Sequence, residues 1–533
     1  WPVCGDHLRR AGQGAWVLTH RKKSLDPALT AAQVDACLLD ANPEMGGSLY
    51  QMGMGLGELV EALLERQPHT PICAWERDPW ILRQALCLHD WSHAIEDGRL
   101  KILLNADLTE RLQDVSQGTR IWHPLFGRLY SEERRLVESG AQSRRALVCA
   151  GTLFVDSLTE GLERMGYSVL PLHVQGLSNE ESERVVRTWK PHVIASINAV
   201  DGLAEFAAAQ GIPHFTWEID PALTPPRALS RPAPHSHVFT YRKESMASFT
   251  RAGFEHVQYM PLAADPHKRF PRELTGEQVE RYAASVSFVG ASMVDHAAPF
   301  QQAFLSGFQS WCGAEPSVGQ QVMQRVLGFQ RQDFSRYVIP ETLDQLCPGF
   351  RTGEVERGAI DPAHYLGEVA AAEKRLNYVA ALAQHGASVW GDGGWQRLQA
   401  HGITYKGPAL HETELPLIYS GTRINVDVGR IYQSDIVTMR IFDILACGGF
   451  VLAEHSEALA ELFEIGVEVE SYRTQEELKA KVAHYLAHPE AARAIAERGR
   501  RAVLERHTID GRLQAMLEAV LGRCAPAADS RAA

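Results

Sequence analysis

The chain has 533 residues, with 53 Lys plus Arg against 65 Asp plus Glu, a formal balance of −12. That balance argues against nucleic-acid binding as the main role, because nucleic-acid surfaces are net basic; a local basic cleft stays compatible with it. Hydrophobic residues at 45% and charged residues at 22% exclude wholesale disorder, and roughly 150 residues per domain predicts three to four domains.

The sequence opens at Trp1 without a basic-then-apolar leader pattern, and we read this as a fragment boundary. Residues 1–140 form a first block. In it, Tyr50-Gln-Met-Gly-Met-Gly-Leu-Gly-Glu58 precedes a helical pattern in Leu59, Leu63 and Leu64. Ile72–Glu76 is a predicted strand ending in an acid, and Ile102–Asp107 is another. Gly53, Gly55 and Gly57, with Glu76 about 20 positions on, have the spacing of a nucleotide or S-adenosylmethionine site. About three strands fit before residue 140, too few for a full methyltransferase sheet, so a structural or partner-binding remnant is the competing reading.

From residue 144 to 265, short apolar runs alternate with amphipathic stretches. Predicted strands are Arg145–Ala150, Tyr167–Leu172, His192–Ile197, Pro213–Trp217 and His237–Thr240, with a helix through Val155, Leu158, Leu162 and Met165. Strands alternating with helices give a parallel sheet covered on both faces. The alternation resumes at Ser285–Val289, Ala387–Trp390, Thr422–Val426 and Gly449–Leu452, with helices near 411–420, 436–446, 474–487, 490–505 and 508–520. Residues 296–384 hold no clear strand and read as a helical insertion, a lid or an interface. Pro261-Leu-Ala-Ala-Asp265 is an extended link between two doubly wound domains, whose ligands bind beyond the carboxyl ends of the strands. Ala525–Ala533 is a predicted frayed tail. No run of about 18 apolar residues predicts a membrane span. Nine cysteines without a CxxC pair fit neither a disulfide framework nor a zinc site, and point to a reducing cytoplasm.

The densest chemical signal runs from Ile424 to Leu452. A strand leads into a polar loop with Arg430, then a helix, then the Cys447-Gly448-Gly449 turn and another strand. The helix N-terminus near Asp435 to Thr438 offers free N–H groups to a phosphate. Arg430 and Arg440 add charge-assisted donors, and the Asp443 carboxylate suits a ribose diol. Plainer readings compete: Asp435 as an N-cap, Arg440 and Asp443 as a surface i,i+3 pair, Gly290 as a strand-ending turn, Trp395 as packing, Cys447 as a small buried residue.

Asp435 and Asp443, spaced D-x7-D and followed by Ala-Cys-Gly-Gly, resemble the E-x7-E element of GT-B glycosyltransferases. The wider stretch resembles the CgeB-like (spore maturation protein) glycosyltransferases through Arg440, Phe442, Asp443, Ala446, Gly448 and Gly449. The likeness continues through Leu462-Phe463, Tyr472, Glu477-Leu478, Tyr485-Leu486, His488-Pro489, Gly499 and His507-Thr508. Upstream it takes in Phe288-Val-Gly290, Val389–Trp395, Tyr405-Lys-Gly407 and the Pro261–Asp265 link. It covers about 145 to 521, without the insertion. The first block is similar to the Rossmann-like module found beside flagellin-type glycosyltransferases.

The resemblance implies an α/β GT-B fold: two facing Rossmann-like domains, an extra N-terminal Rossmann-like domain and a helical insertion. The implied domains are 1–140 (accessory), 144–265 (acceptor), 266–521 (nucleotide-sugar donor, with the insertion at about 296–384) and a tail from 522 to 533. It implies donor-binding roles for Gly290, Ser292, Gly391, Trp395, Lys406, Gly407, Asn425, Arg430, Tyr432, Asp435, Arg440, Asp443 and Gly448. Among these, Asp443 meets the ribose, Gly407 lies near the base, and Gly290, Ser292, Arg430 and Arg440 surround the diphosphate. No Lys follows Phe288-Val-Gly290, where many relatives carry one. Asp220 and Asp156 follow predicted strand ends and are the candidate catalytic bases. No Asp-x-Asp stands at a strand end, so a metal-independent transferase is expected, with no cofactor beyond the UDP- or other NDP-sugar substrate. The acceptor would be a protein or cell-surface glycan hydroxyl. Rival readings are a nucleotide-sugar epimerase of the same fold, an inactive partner-binding scaffold, and an S-adenosylmethionine enzyme using Gly53, Gly55, Gly57 and Glu76.

Overall fold

The computed structural model describes residues 7–10, 16–20, 23–39, 48–105, 107–139, 144–149, 154–172, 177–220 and 224–522. Trp1, the Ala150–Gly151 strand end and the tail beyond Gly522 lie outside them. The chain divides into two compact units. The first runs up to Trp217 and adds Leu229–His237; the second comprises Glu218–Ala228 and Val238–Ala519.

The first block holds strands β1 (His7–Arg10), β2 (Trp16–His20) and β3 (Lys23–Leu25), an antiparallel meander. Then come β4 (Leu49–Met52), β5 (Ile72–Glu76), β6 (Leu100–Leu104) and β7 (Thr119–Trp122), a parallel sheet in the order β6-β5-β4-β7. The block therefore has four parallel strands, where the sequence suggested three. The fourth, Thr-Arg-Ile-Trp, has Ile121 as its single fully buried side chain, so it carries no apolar run.

Next are β8 (Arg144–Cys149), β9 (Tyr167–Leu172), β10 (Val193–Ile197), β11 (His214–Glu218), β12 (Ser236–Thr240) and β13 (His256–Tyr259), in the order β13-β12-β11-β10-β8-β9. β9, β10 and β11 are buried at every position. This is the signature of strands covered on both faces, and it is why they read as continuous apolar runs.

The last sheet has β14 (Ala284–Val289), β15 (Ser388–Trp390), β16 (Thr404–Gly407), β17 (Thr422–Val426), β18 (Val451–Glu454) and β19 (Glu470–Tyr472), in the order β16-β15-β14-β17-β18-β19. Its neighbouring pairs are parallel. Together with the six-stranded sheet before it, these are the two doubly wound sheets of the expected α/β GT-B class. The strands absent from the sequence reading are short or at edges. β13 and β16 alternate exposed and half-buried positions, and β19 is only Glu-Ser-Tyr. Tyr405-Lys-Gly407, part of the family likeness, belongs to β16.

Between β14 and β15 the chain forms five helices, Val294–Cys312, Pro316–Gln332, Ile339–Leu346, Phe350–Glu356 and Pro362–Ala380. They share a core of Phe304, Val326, Leu327, Leu343, Phe350 and Leu366, which also takes in Ile431 from the loop after β17. The insertion thus anchors that loop. Strand order also reverses at β14: β15 and β16 lie on one side, β17 to β19 on the other. The carboxyl ends of β14 and β17 form a topological switch point, the place where such sheets open a crevice. Among the described residues, no helix is long and apolar enough to cross a membrane.

Candidate functional site

Two loops leave the switch point. The first, Gly290 to Met293, is pinned to its neighbour: the Gly290 N–H donates to the Trp390 carbonyl at 2.9 Å, and the Trp395 indole N–H donates to the Gly290 carbonyl at 2.8 Å. Trp395 is fully buried and meets Phe288 edge to face at 5.4 Å. Ser292 is buried, its hydroxyl and its N–H both donating to Asp392. A Cβ on Gly391 would lie 2.1 Å from the Gly290 carbonyl oxygen, so only glycine lets these two turns close. Trp395 and Ser292 therefore shape the loop from behind.

The second loop runs from Asp427 to Thr438. Asp427, 3% exposed, receives Arg440 and the Thr438 hydroxyl. Arg430 donates to the Tyr432 hydroxyl at 2.8 Å, and both contact Glu368 of the insertion. Asp435 is held by two hydrogen bonds from Arg242, at 2.9 and 2.7 Å. The helix begins at Met439, with Thr438 in the N-cap position. This corrects the expected start near 436: Asp435 is an ion-pair partner, not the cap. Arg440 and Asp443 are likewise not partners of one another. Arg440 turns to Asp427, whereas Asp443, 4% exposed, takes Arg269 at 3.0 Å. Burial raises the Asp443 carboxyl, and the Arg269 charge pulls it back.

Three arginines, Arg375, Arg430 and Arg440, gather at the switch point, and one of them was not singled out in the sequence. Arg375 lies on the helix Pro362–Ala380, 6% exposed. Its guanidinium donates to the Ala291 carbonyl at 2.8 Å, while its Nε has no hydrogen-bond partner. Burial first, then the charges of Arg440 and Arg430, push it down to about 9. The Arg440 Nη2 lies 2.8 Å from where a Cβ on Gly290 would stand, so this guanidinium and that of Arg375 flank the Gly290–Ala291 turn. His364, Glu368 and Arg375 recur at i, i+4 and i+11, one helix face. Arg375 closes the Ala-rich run Val369–Arg375, where Glu373-Lys374-Arg375 has the composition of a solvated end. Only Glu373 behaves so, pairing with Arg331 at the surface; Lys374, 2% exposed, is paired with Glu454.

The other expected residues fall elsewhere. Asn425 is 1% exposed and bonds Ser287 and the Tyr419 and Phe450 carbonyls, binding strands together inside the sheet. Lys406 is exposed, reaching the Glu280 carbonyl at 3.3 Å. Gly407 ends β16 with open space where a Cβ would be. Gly448 turns the chain at φ 73° after the helix. Asp220 lines a cleft with Glu218 and Tyr241 in the second unit, and Asp156 lies in the first turn of the helix Val155–Arg164 in the first unit. Arg242, Arg269 and Asp427, besides Arg375, were missed because isolated charges far apart in sequence show no common spacing. Among the described residues, no group of three or more His, Cys, Asp or Glu side chains could hold a metal ion.

In the first block, Glu76 is fully buried and accepts the Met54 and Asp78 N–H groups and the Tyr130 hydroxyl. Cβ atoms on Gly53 and Gly55 would lie 2.7 Å from Phe126 and 2.6 Å from His123. The glycine loop is thus packed against the chain's own His123–Tyr130 segment.

Residues 371–518 match a family model described as glycosyl transferase-like. The match begins inside the helix that carries Arg375 and ends in the last helix. No curated protein matches the sequence. Among solved structures, the chain is similar to Anabaena Alr3699/HepE in complex with UDP and glucose, at 12% identity over 78% of this chain and 96% of that one, with a TM-score of 0.39. It is similar to sucrose-phosphate synthase from Thermosynechococcus elongatus at 13% identity over 70% and 98%, TM-score 0.43. A glycosyltransferase from Rickettsia africae aligns at 8% identity over 90% and 100%, TM-score 0.38.

Proposed function

We propose that this chain is a metal-independent glycosyltransferase that moves a sugar from a nucleoside-diphosphate sugar, a UDP-sugar foremost, to an acceptor hydroxyl. Arg375 carries the reading. A buried cation without a partner on Nε, repelled by Arg430 and Arg440, is held at a free-energy cost that a bound diphosphate would repay. The family match over residues 371–518 supports the same reading.

In this reading the diphosphate lies against the Gly290–Ala291 turn, with Arg375, Arg430 and Arg440 around it. As the donor's bond from anomeric carbon to phosphate oxygen breaks, the arginines stabilise the charge left on the diphosphate. Asp443 takes the ribose through Oδ1, since Oδ2 carries Arg269. Gly407 lies by the base, and Asp220 receives the acceptor's proton. The CgeB-like specificity and a protein or cell-surface glycan acceptor extend the proposal.

Calorimetry with UDP and UDP-sugars tests it. We expect binding by the wild-type protein and at least about tenfold weaker binding by Arg440→Ala, the loss of one charge-assisted contact. Equal affinity in the two proteins, or no nucleotide binding at all, would overturn it.

A further inference from the structure

The helix that carries Arg375 brings two more polar side chains from the same face against the loop after β17. Glu368 is buried; its Oε1 accepts the Tyr432 hydroxyl and lies 3.4 Å from the Arg430 Nη1. The His364 Nε2 stands 3.6 Å from the same Oε1, too far for a hydrogen bond. All three contacts use Oε1, whereas a carboxylate has lone pairs on both oxygens. Tyr432 meets the His364 ring edge to face at 5.0 Å. A Cβ on Gly367 would stand 3.0 Å from the Tyr432 Cδ1, so the loop lies directly on this helix. The His364 Nε2 is buried and has no hydrogen-bond partner, a state that buried polar atoms seldom keep unless a ligand or water meets them.

A continuous set of contacts leads from Asp443 to this cluster. Arg440 is three residues before Asp443 on the same helix, and it flanks the Gly290–Ala291 turn to which Arg375 donates. Asp427 holds Arg440, and three residues further along that loop Arg430 meets Glu368. Seven residues separate Glu368 from Arg375, about 10 Å of helix, and His364 is one turn beyond. With a ribose at Asp443 and a diphosphate at the Gly290–Ala291 turn, the next group along this row is the sugar that the diphosphate carries. Arg430 is partly exposed, so the cluster borders solvent on its side.

We propose, resting on the glycosyl-transfer reading, that the helical insertion supplies the pocket for the transferred sugar, with Glu368 and His364 binding neighbouring hydroxyls of a hexose. The Glu368 Oε2 accepts a hydrogen bond from one hydroxyl. The His364 Nε2, a donor or an acceptor according to its tautomer, takes the next. Their i,i+4 spacing sets the carboxylate and the imidazole side by side, as a vicinal diol requires. Arg430 offsets the Glu368 charge, so the pocket selects by the placement of hydroxyls and not by net charge. A sugar lacking one of them leaves a buried polar atom unpaired and binds less well.

Calorimetry on the full chain with UDP, UDP-glucose, UDP-galactose and UDP-N-acetylglucosamine tests this. His364→Phe keeps an aromatic ring against Tyr432. It should weaken the best-bound UDP-sugar by about three- to tenfold, the worth of one hydrogen bond, with UDP affinity within about twofold of wild type. Glu368→Gln should weaken the same UDP-sugar by at least about tenfold, while UDP affinity holds or rises because Arg430 loses a competing carboxylate. The UDP measurement also reports that each variant keeps its folded site. An unchanged ratio of UDP to UDP-sugar affinity in both variants overturns the inference and leaves the donor reading standing. So does an equal loss for UDP and UDP-sugar in Glu368→Gln, which makes Glu368 a brace for Arg430, or a wild type that binds UDP and none of the UDP-sugars. If wild type binds neither UDP nor any UDP-sugar, the donor reading fails and this inference falls with it.

Discussion

Replacing Arg375 by Met separates a functional cation from a structural one. The side chain keeps its unbranched stem but loses the guanidinium and its buried charge. The depression of its guanidinium to about 9 corresponds to a ceiling of a few kcal/mol, at about 1.4 kcal/mol per pH unit. Solvent and neighbouring side chains relax around such a charge, and the Ala291 carbonyl loses a donor worth about 1 kcal/mol. We therefore expect Arg375→Met to stabilise the ligand-free protein by about 1–3 kcal/mol, or roughly 2–10 °C in the melting of the unit that holds it. The same change should remove about 1.5–3 kcal/mol of UDP binding, roughly 10- to 150-fold in Kd. Thermal unfolding with and without UDP reads both. A variant that melts lower than wild type without UDP, and keeps the UDP-induced rise, refutes the reasoning and makes Arg375 a scaffold residue.

Two further predictions concern stability. Arg269 and Asp443 are 4% and 5% exposed at their side chains and 3.0 Å apart, so Arg269→Met should cost about 3–5 kcal/mol by stranding a buried carboxylate. The double variant Arg269→Met/Asp443→Leu should be more stable than that single variant, and losses that simply add would count against an isolated buried pair. Burial lowers His123 and His507 from 6.5 to about 4. Between those values the unfolded chain holds the proton and the folded chain does not. Stability should therefore fall as pH drops from 6.5 towards 4, by up to about 1.4 kcal/mol per pH unit for each histidine; a melting temperature unchanged from pH 7 to pH 5 contradicts this.

Several elements were legible because their cause is local. Tyr167–Leu172 and Thr422–Val426 have the bounds read from their apolar runs. The helix Met439–Ala446 was placed three residues early because Asp435 has the chemistry of an N-cap and is instead drawn to Arg242, 193 positions away. Trp395, Asn425 and Ser292 carried a family pattern that does not distinguish a residue facing a ligand from one holding the loop behind it.

The sequence by itself determined the parallel α/β sheets, since strands buried on both faces must be continuously apolar. It also determined the glycine turns and the position of the polar loop after β17, because backbone sterics and strand punctuation act over a few residues. Only the tertiary structure decided which charges meet. Arg375, Arg430 and Arg440 come from an insertion helix, a loop and a second helix. Their pairing depends on distances and burial that no short-range spacing encodes, and the strength of each charge depends on what the rest of the chain excludes from around it.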